Sequence, residues 1–221
     1  MSDDAPFQLL VVGAGPAGTA AATFAAANGA QVTLVEASVV GGAAHLWDCI
    51  PSKAMVASSM RLANVRASGH LGLADVDSLQ VDMGRLSERR EAITTRLVAG
   101  VTGILESQGV EIIHGRGRLT GTHTAVAETA EGEQELRFDA ALLATGSRPW
   151  EPAWAAVDGE RIITTRHAYA LEALPEHMVV VGSGVTGVEF VHIFSSLGAE
   201  VTLLVSRQQV LPHRDAEVAA V

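Results

Sequence analysis

The chain has 221 residues, enough for one large domain or two small ones; 48% are hydrophobic and 18% charged, so a core can form and no stretch reads as disordered. A net charge of −10 argues against nucleic acid or an anionic membrane surface as the main partner, because both reward basic patches. A single cysteine excludes an intrachain disulfide and any cysteine-built metal cage, which makes a reducing, cytoplasmic setting the expected compartment.

Ala5 to Val35 carries no charge and has the length of a membrane span, but Gly13, Gly15, Pro16 and Gly18 interrupt its centre. Asp3 and Asp4 stand where a signal peptide would carry basic residues. The chain is therefore read as soluble, untargeted and without membrane insertion. Leu9–Glu36 predicts a buried strand, a glycine-rich turn, a helix and a second strand. The loop GGAAHLWDCIPSKAM follows, from Gly41 to Met55, with the lone thiol at Cys49. Helices are expected over Pro51–Ser68 and about Asp82–Gln108, the latter closed by Gly109. Five short apolar stretches come next: Val110–Ile113, Arg116–Leu119, Ala125–Glu128, Leu136–Phe138 and Ala140–Ala144. With a turn at Glu131–Glu133 they read as a small antiparallel meander. Pro149–Pro175 is a crossing segment, and a second strand–turn–helix–strand pattern occupies Met178–Val205.

Laid without gaps on Leu9–Glu36, Met178–Val205 matches at 10 of 28 positions, among them all three glycines of G-x-G-x-x-G, the Gly-Ala turn and Val-Thr-Leu of the closing strand. The repeat predicts two βαβ dinucleotide units in an α/β fold. Gly13 and Gly182 permit the tight turn, Gly15 and Gly184 let backbone approach a pyrophosphate, and Gly18 and Gly187 allow close helix–strand packing. Each helix N-terminus then offers unpaired N–H groups and the positive end of its dipole to the phosphates. The copies differ 21 residues after the second glycine, where the first has Glu36, able to grip ribose hydroxyls, and the second has Val205 followed by Ser206 and Arg207. A hydroxyl and a guanidinium there can accept a 2′-phosphate, although an exposed loop arginine looks the same. The first unit reads as an FAD site and the second as a site for NADPH or NADH.

The ordered set G-x-G-x-x-G, Glu36, GG…CIPSK, meander, ATGSRP at Ala144–Pro149 and a second G-x-G-x-x-G-x-E resembles the flavoprotein disulfide reductases, from about residue 7 onward. The resemblance implies two Rossmann-like domains: an FAD domain with a meander over 1–149, then the crossing segment and first βαβ of an NAD(P) domain over 150–221. It implies that Gly13, Gly15, Pro16, Ala17, Gly18, Glu36, Ala37, Gly41, Gly42 and Ala43 line FAD, and that Arg116 and Gly117 meet its adenine. Ala144, Thr145, Gly146 and Thr165 border the same cofactor. Cys49 and Lys53 face the flavin, Lys53 pairs with Glu189, and Cys49, Lys53 and Glu189 form the catalytic set. Gly182, Gly184, Val185, Thr186, Gly187, Ser206 and Arg207 border the nicotinamide nucleotide. Val185 stands where many relatives have a tyrosine gate.

Disulfide-reducing relatives carry C-x-x-x-x-C in the loop, and this chain has Ala44-His-Leu-Trp-Asp-Cys49. The thiol that attacks a substrate disulfide is absent, and one thiol cannot complete an exchange that runs through a mixed disulfide. Lipoamide, glutathione and mercuric ion are thus unexpected substrates. GGAA…DC(I/V)PSK with GSGVTG-x-EF is similar to actinobacterial NAD(P)H:quinone reductases related to lipoamide dehydrogenase. The expected function is an FAD-dependent NAD(P)H oxidoreductase that passes hydride to flavin and electrons to a quinone. Two alternatives stay open: a soluble pyridine nucleotide transhydrogenase, and a non-catalytic redox sensor using Cys49. His45 reads as a loop residue that faces the flavin or solvent, and Trp47 as one that shields the flavin or merely packs. The resemblance further implies an N-terminal part of a longer homodimer, whose later sequence completes the FAD domain.

Overall fold

Apolar runs too uniform for a half-exposed strand build the parallel strands β1 (Gln8–Val12) and β2 (Gln31–Glu36), joined through helix α1 (Pro16–Ala27). The computed structural model describes residues 5–206 and 209–220. They fall into two compact units interleaved along the chain: residues 1–50 with 92–157, and 51–91 with 158–221.

In the first unit a four-stranded parallel sheet has the order β3-β2-β1-β7, with β3 at Glu111–His114 and β7 at Ala140–Leu143. Three further strands, β4 (Arg116–Leu119), β5 (Thr124–Thr129) and β6 (Gly132–Arg137), form an antiparallel meander whose tight turn is Ala130–Glu131. The five-strand meander expected from the sequence is thereby corrected. Its first and last members pair in parallel with β2 and β1 instead. Both faces of the parallel sheet are covered, as such sheets require. On one, Leu10, Val12, Val35 and Ile113 pack against the meander residues Ala125, Ala127 and Leu136. On the other, Val11, Val32 and Leu34 pack with Ala22 of α1 and with Leu105.

Helix α2 runs over Ile50–Arg66, opened by buried Pro51, and α3 over Met83–Ser107. Gly109 ends the latter segment at φ +76°. In the second unit, β8 (His177–Val181) and β9 (Glu200–Leu204) pair in parallel around α5 (Val185–Leu197). A cluster of Tyr169, Phe190 and Phe194 packs there, with Tyr169 tilted against Phe190 at 5.1 Å between ring centroids and Phe190 stacked on Phe194 at 5.8 Å. Arg66, at the end of α2, donates to the carbonyls of Leu79 and Ser196 and ties the loop at Leu79 to the last turn of α5.

Candidate functional site

In the first unit the carboxyl ends of three neighbouring strands converge. β1 runs into the glycine turn at Gly13, β2 ends at Glu36, and β7 leads into Ala144, Thr145 and Gly146. With β1 between β2 and β7, this is the crevice where open α/β sheets receive ligands. Gly13 adopts φ +102°, and a Cβ on it would stand 2.3 Å from the Ala144 carbonyl oxygen, so the turn is pressed against the strand beside it. A Cβ on Gly18 would stand 1.8 Å from the Gly13 carbonyl oxygen, which makes the third glycine a requirement of helix–turn packing. Gly15 differs: nothing lies within 4 Å of its Cβ direction, leaving room for a ligand.

Gly15 caps α1 with no side-chain acceptor, Pro16 opens the helix, and its first turn holds no acid. The leading amides and the positive dipole end are therefore left for an anion. Gly41 and Gly42 close the loop from above. Their φ values are +101° and +56°, Gly41 N–H donates to the Ala14 carbonyl at 2.7 Å, and a Cβ on Gly42 would come within 2.9 Å of Gly15 Cα. Gly117, beside Arg116 in β4, presses against Val12: a Cβ there would lie 2.8 Å from its Cγ1. Ala17, Ala37 and Thr145 are exposed around the crevice, and Ala43 is half-buried.

Glu36 is buried, and its carboxylate accepts from Ala14 N–H at 2.6 Å and from Ser38 N–H at 2.7 Å. A carboxylate has about four acceptor positions, so sites remain for ribose hydroxyls. Glu36→Gln sets an NH2 group against one of those two backbone donors. We expect it to lower the stability of the ligand-free protein by about 1–3 kcal/mol, the cost of an unsatisfied buried group, read from urea unfolding. An unchanged midpoint would show that the loop does not need the carboxylate.

The cysteine loop folds as a π-helical turn over Ala44–Asp48, closed by Cys49 N–H donating to the Ala44 carbonyl. Ala44 and Cys49 thus bracket one i→i+5 turn, a geometry frequent at functional sites. The Cys49 thiol is exposed. Thr94 of α3 donates its hydroxyl to the His45 carbonyl at 3.0 Å and secures the turn. That contact was illegible in the sequence, since no local pattern links residues so far apart.

In the second unit the glycine turn is built alike. Gly182 N–H bonds the Leu204 carbonyl at 3.0 Å, as Gly13 N–H bonds Val35 at 2.8 Å. Gly184 is the uncapped N-cap of α5 with an open Cβ direction, whereas a Cβ on Gly187 would lie 1.9 Å from the Gly182 carbonyl oxygen. Val185, Thr186 and Ser206 are exposed, and Arg207 lies outside the described residues. Glu189 is the fifth residue of α5, beyond the first turn, so its place is not explained as a simple N-terminal acid. Lys53 Nζ donates to the Glu189 carboxylate and, at 3.3 Å, to Ser52 Oγ. Thr165 opens the short helix α4 (Thr165–Ala168), capped by Thr164. Among the described residues no cluster of metal-ligating side chains occurs, and no helix is long and apolar enough to cross a membrane.

A family model described as pyridine nucleotide-disulphide oxidoreductase matches residues 7–221. An NAD(P)H dehydrogenase (quinone) of Mycobacterium tuberculosis is 40% identical over 225 residues, covering 97% of this chain and 46% of that protein. Dihydrolipoyl dehydrogenase 2 of Haloarcula marismortui is 38% identical over 218 residues, with the same shares covered. The crystal structure of LpdA from Mycobacterium tuberculosis superposes with a TM-score of 0.88 at 39% identity, over 97% of this chain and 48% of that one. The chain thus spans about half the length of the curated relatives it matches.

Proposed function

The chain belongs to the pyridine nucleotide-disulphide oxidoreductase family, and from that premise we propose that it forms the nucleotide-binding part of an NAD(P)H oxidoreductase that reduces a quinone without a redox-active disulfide. The family's cofactors are FAD and a nicotinamide dinucleotide, NADPH or NADH. The residues present fit FAD: the glycine cradle is open only at Gly15, the first turn of α1 carries no acid, and Glu36 retains free acceptor positions. The observation that carries the quinone reading is Ala44, a methyl at the far end of the π turn from Cys49. The likeness to a protein named for quinone reduction supports it.

When bound, FAD supplies two-electron chemistry, taking hydride from the nicotinamide and returning electrons to an acceptor. The chain's own part is to bind and orient. The α1 amides and the Gly41–Gly42 loop hold the pyrophosphate, and Glu36 holds ribose. The α5 amides receive the second dinucleotide. Lys53, kept in place by Glu189, supplies a positive charge toward the reduced ring. We assign residues 1–149 to FAD and 150–221 to the nicotinamide nucleotide, in a cytoplasmic protein acting as a homodimer.

The test is an assay of the full-length polypeptide. It is expected to oxidise NADPH or NADH with a naphthoquinone and to ignore lipoamide. Lys53→Met is expected to slow flavin reduction about 100-fold in stopped flow, with a smaller loss for Glu189→Gln. Hydride exchange between NADPH and an NAD analogue without quinone turnover would favour a transhydrogenase instead. Protein that binds no flavin would defeat the enzyme reading.

A further inference from the structure

Helix α5 closes on Gly198 at φ +117°, whose N–H donates to the Phe194 and Ser195 carbonyls, while Ala199 N–H also donates to Phe194. The last carbonyls of a helix lack partners within it, and the next one, Ser196, is taken by Arg66: Nη1 donates to it at 3.2 Å. The rest of the guanidinium faces the Leu79 carbonyl, with Nε and Nη2 donating at 3.3 and 2.6 Å. The planar fork is thereby fixed between two carbonyls. It also lies along the cap, since a Cβ on Gly198 would stand 3.5 Å from Nη1.

A second polar contact joins the same two helices. Lys53, fourth in α2, donates to the carboxylate of Glu189, fifth in α5. α2 and α5 are therefore tied once toward their starts and once at their ends. The buried residues of α5, Phe190, Ile193, Phe194 and Leu197, are all apolar. Apolar burial is non-directional and tolerates a small slide along the helix axis, whereas hydrogen bonds weaken steeply with displacement. The polar ties, not the apolar face, set the height of α5 against α2. We propose that Arg66 is a positioning residue: by holding the last turn of α5 to the end of α2, it fixes where Glu189 meets Lys53. Its bearing on hydride transfer rests on the reading of Lys53 given above.

Lys53 is the only lysine in the chain, and its side chain is 61% exposed. Its acetylation by an N-hydroxysuccinimidyl ester, located by peptide mass spectrometry, therefore reads the pair in the ligand-free protein without unfolding. An amine held on a carboxylate is a poorer nucleophile than a free one. Glu189→Gln is expected to raise the labelling rate about threefold and Arg66→Met about twofold, as for a partly exposed ion pair. The double variant should stay at about threefold, where independent effects would multiply. Arg66→Lys, which keeps the stem and the cation, should fall between the parent and Arg66→Met, and it carries the test if Arg66→Met does not fold. Labelling of Lys53 unchanged in both Arg66 variants overturns the proposal, as does a multiplied rise in the double variant or a rise that tracks a lowered urea midpoint. In the full-length polypeptide, flavin reduction slowed by Arg66→Met, and slowed no further when Arg66→Met is added to Glu189→Gln, supports it. Coupled labelling together with flavin reduction indifferent to Lys53→Met would overturn the reading of Lys53 and leave the positioning of the pair standing.

Discussion

Gly15→Ala is expected to cost the protein its FAD and leave its fold intact, while Gly18→Ala is expected to unsettle the fold itself. Both changes add one methyl within the same six-residue motif. At Gly15 the backbone is in the extended region, at φ −68° and ψ −178°, and the new methyl meets nothing within 4 Å. A compatible Gly→Ala change gains about 0.4–1 kcal/mol by restricting the unfolded chain, and alanine is a worse N-cap by a similar amount. The two effects offset, and the ligand-free melting midpoint should hold within a few degrees. The methyl then stands where the pyrophosphate approaches, so FAD affinity should fall 100-fold or more, about 2.7 kcal/mol. At Gly18 the methyl lands 1.8 Å from the Gly13 carbonyl oxygen, a backbone atom that cannot swing aside. Overpacking of this kind costs about 1–3 kcal/mol, and the midpoint should drop by several degrees. Thermal unfolding beside FAD titration separates the two. Equal midpoint losses would mean that Gly15 is structural and that the cradle has been misassigned.

Disulfide reduction should be absent from the parent and depend on position 44. Thiol–disulfide exchange needs one thiolate to open the substrate disulfide and a second to displace the product from the mixed disulfide. The π turn has Cys49 at one end and a methyl at the other. Ala44→Cys supplies the missing partner across one turn, and turnover of lipoamide should rise from background to a measurable rate in the full-length protein. Cys49→Ser in the Ala44→Cys background should abolish that turnover, since the exchange needs both thiols. Lipoamide turnover by the parent, or its persistence without Cys49, would overturn the reading of this loop.

Much of this was legible in the sequence. The paired βαβ units, the span of α2 and the closure of α3 at Gly109 follow from spacing and local stereochemistry. The meander boundaries did not. Val110–Ile113 and Ala140–Ala144 are short apolar runs that carry no record of partner or direction, and both were drawn into the parallel sheet. The Glu36 carboxylate was readable as a ligand group, whereas its bonds to Ala14 and Ser38 arise from backbone N–H groups that any residue would supply. His45 offered no periodic signal, and the burial of its Nδ1 against Gly41 is a product of how the loop folds.

The glycine motif marks the division. Gly18 and Gly187 are required by contacts five residues back, at 1.8 and 1.9 Å, and such local contacts follow wherever the motif folds as strand–turn–helix. The sequence by itself therefore determined both dinucleotide turns. Gly13 and Gly182 hold the same place in the motif with nearly the same φ, +102° and +109°. What encloses Gly13 is not in the motif: the Ala144 carbonyl reaches it because β7 pairs with β1 in the first unit. Tertiary structure alone decided that enclosure, because strand pairing between distant segments is set by burial of a whole sheet face and not by any residue near the turn.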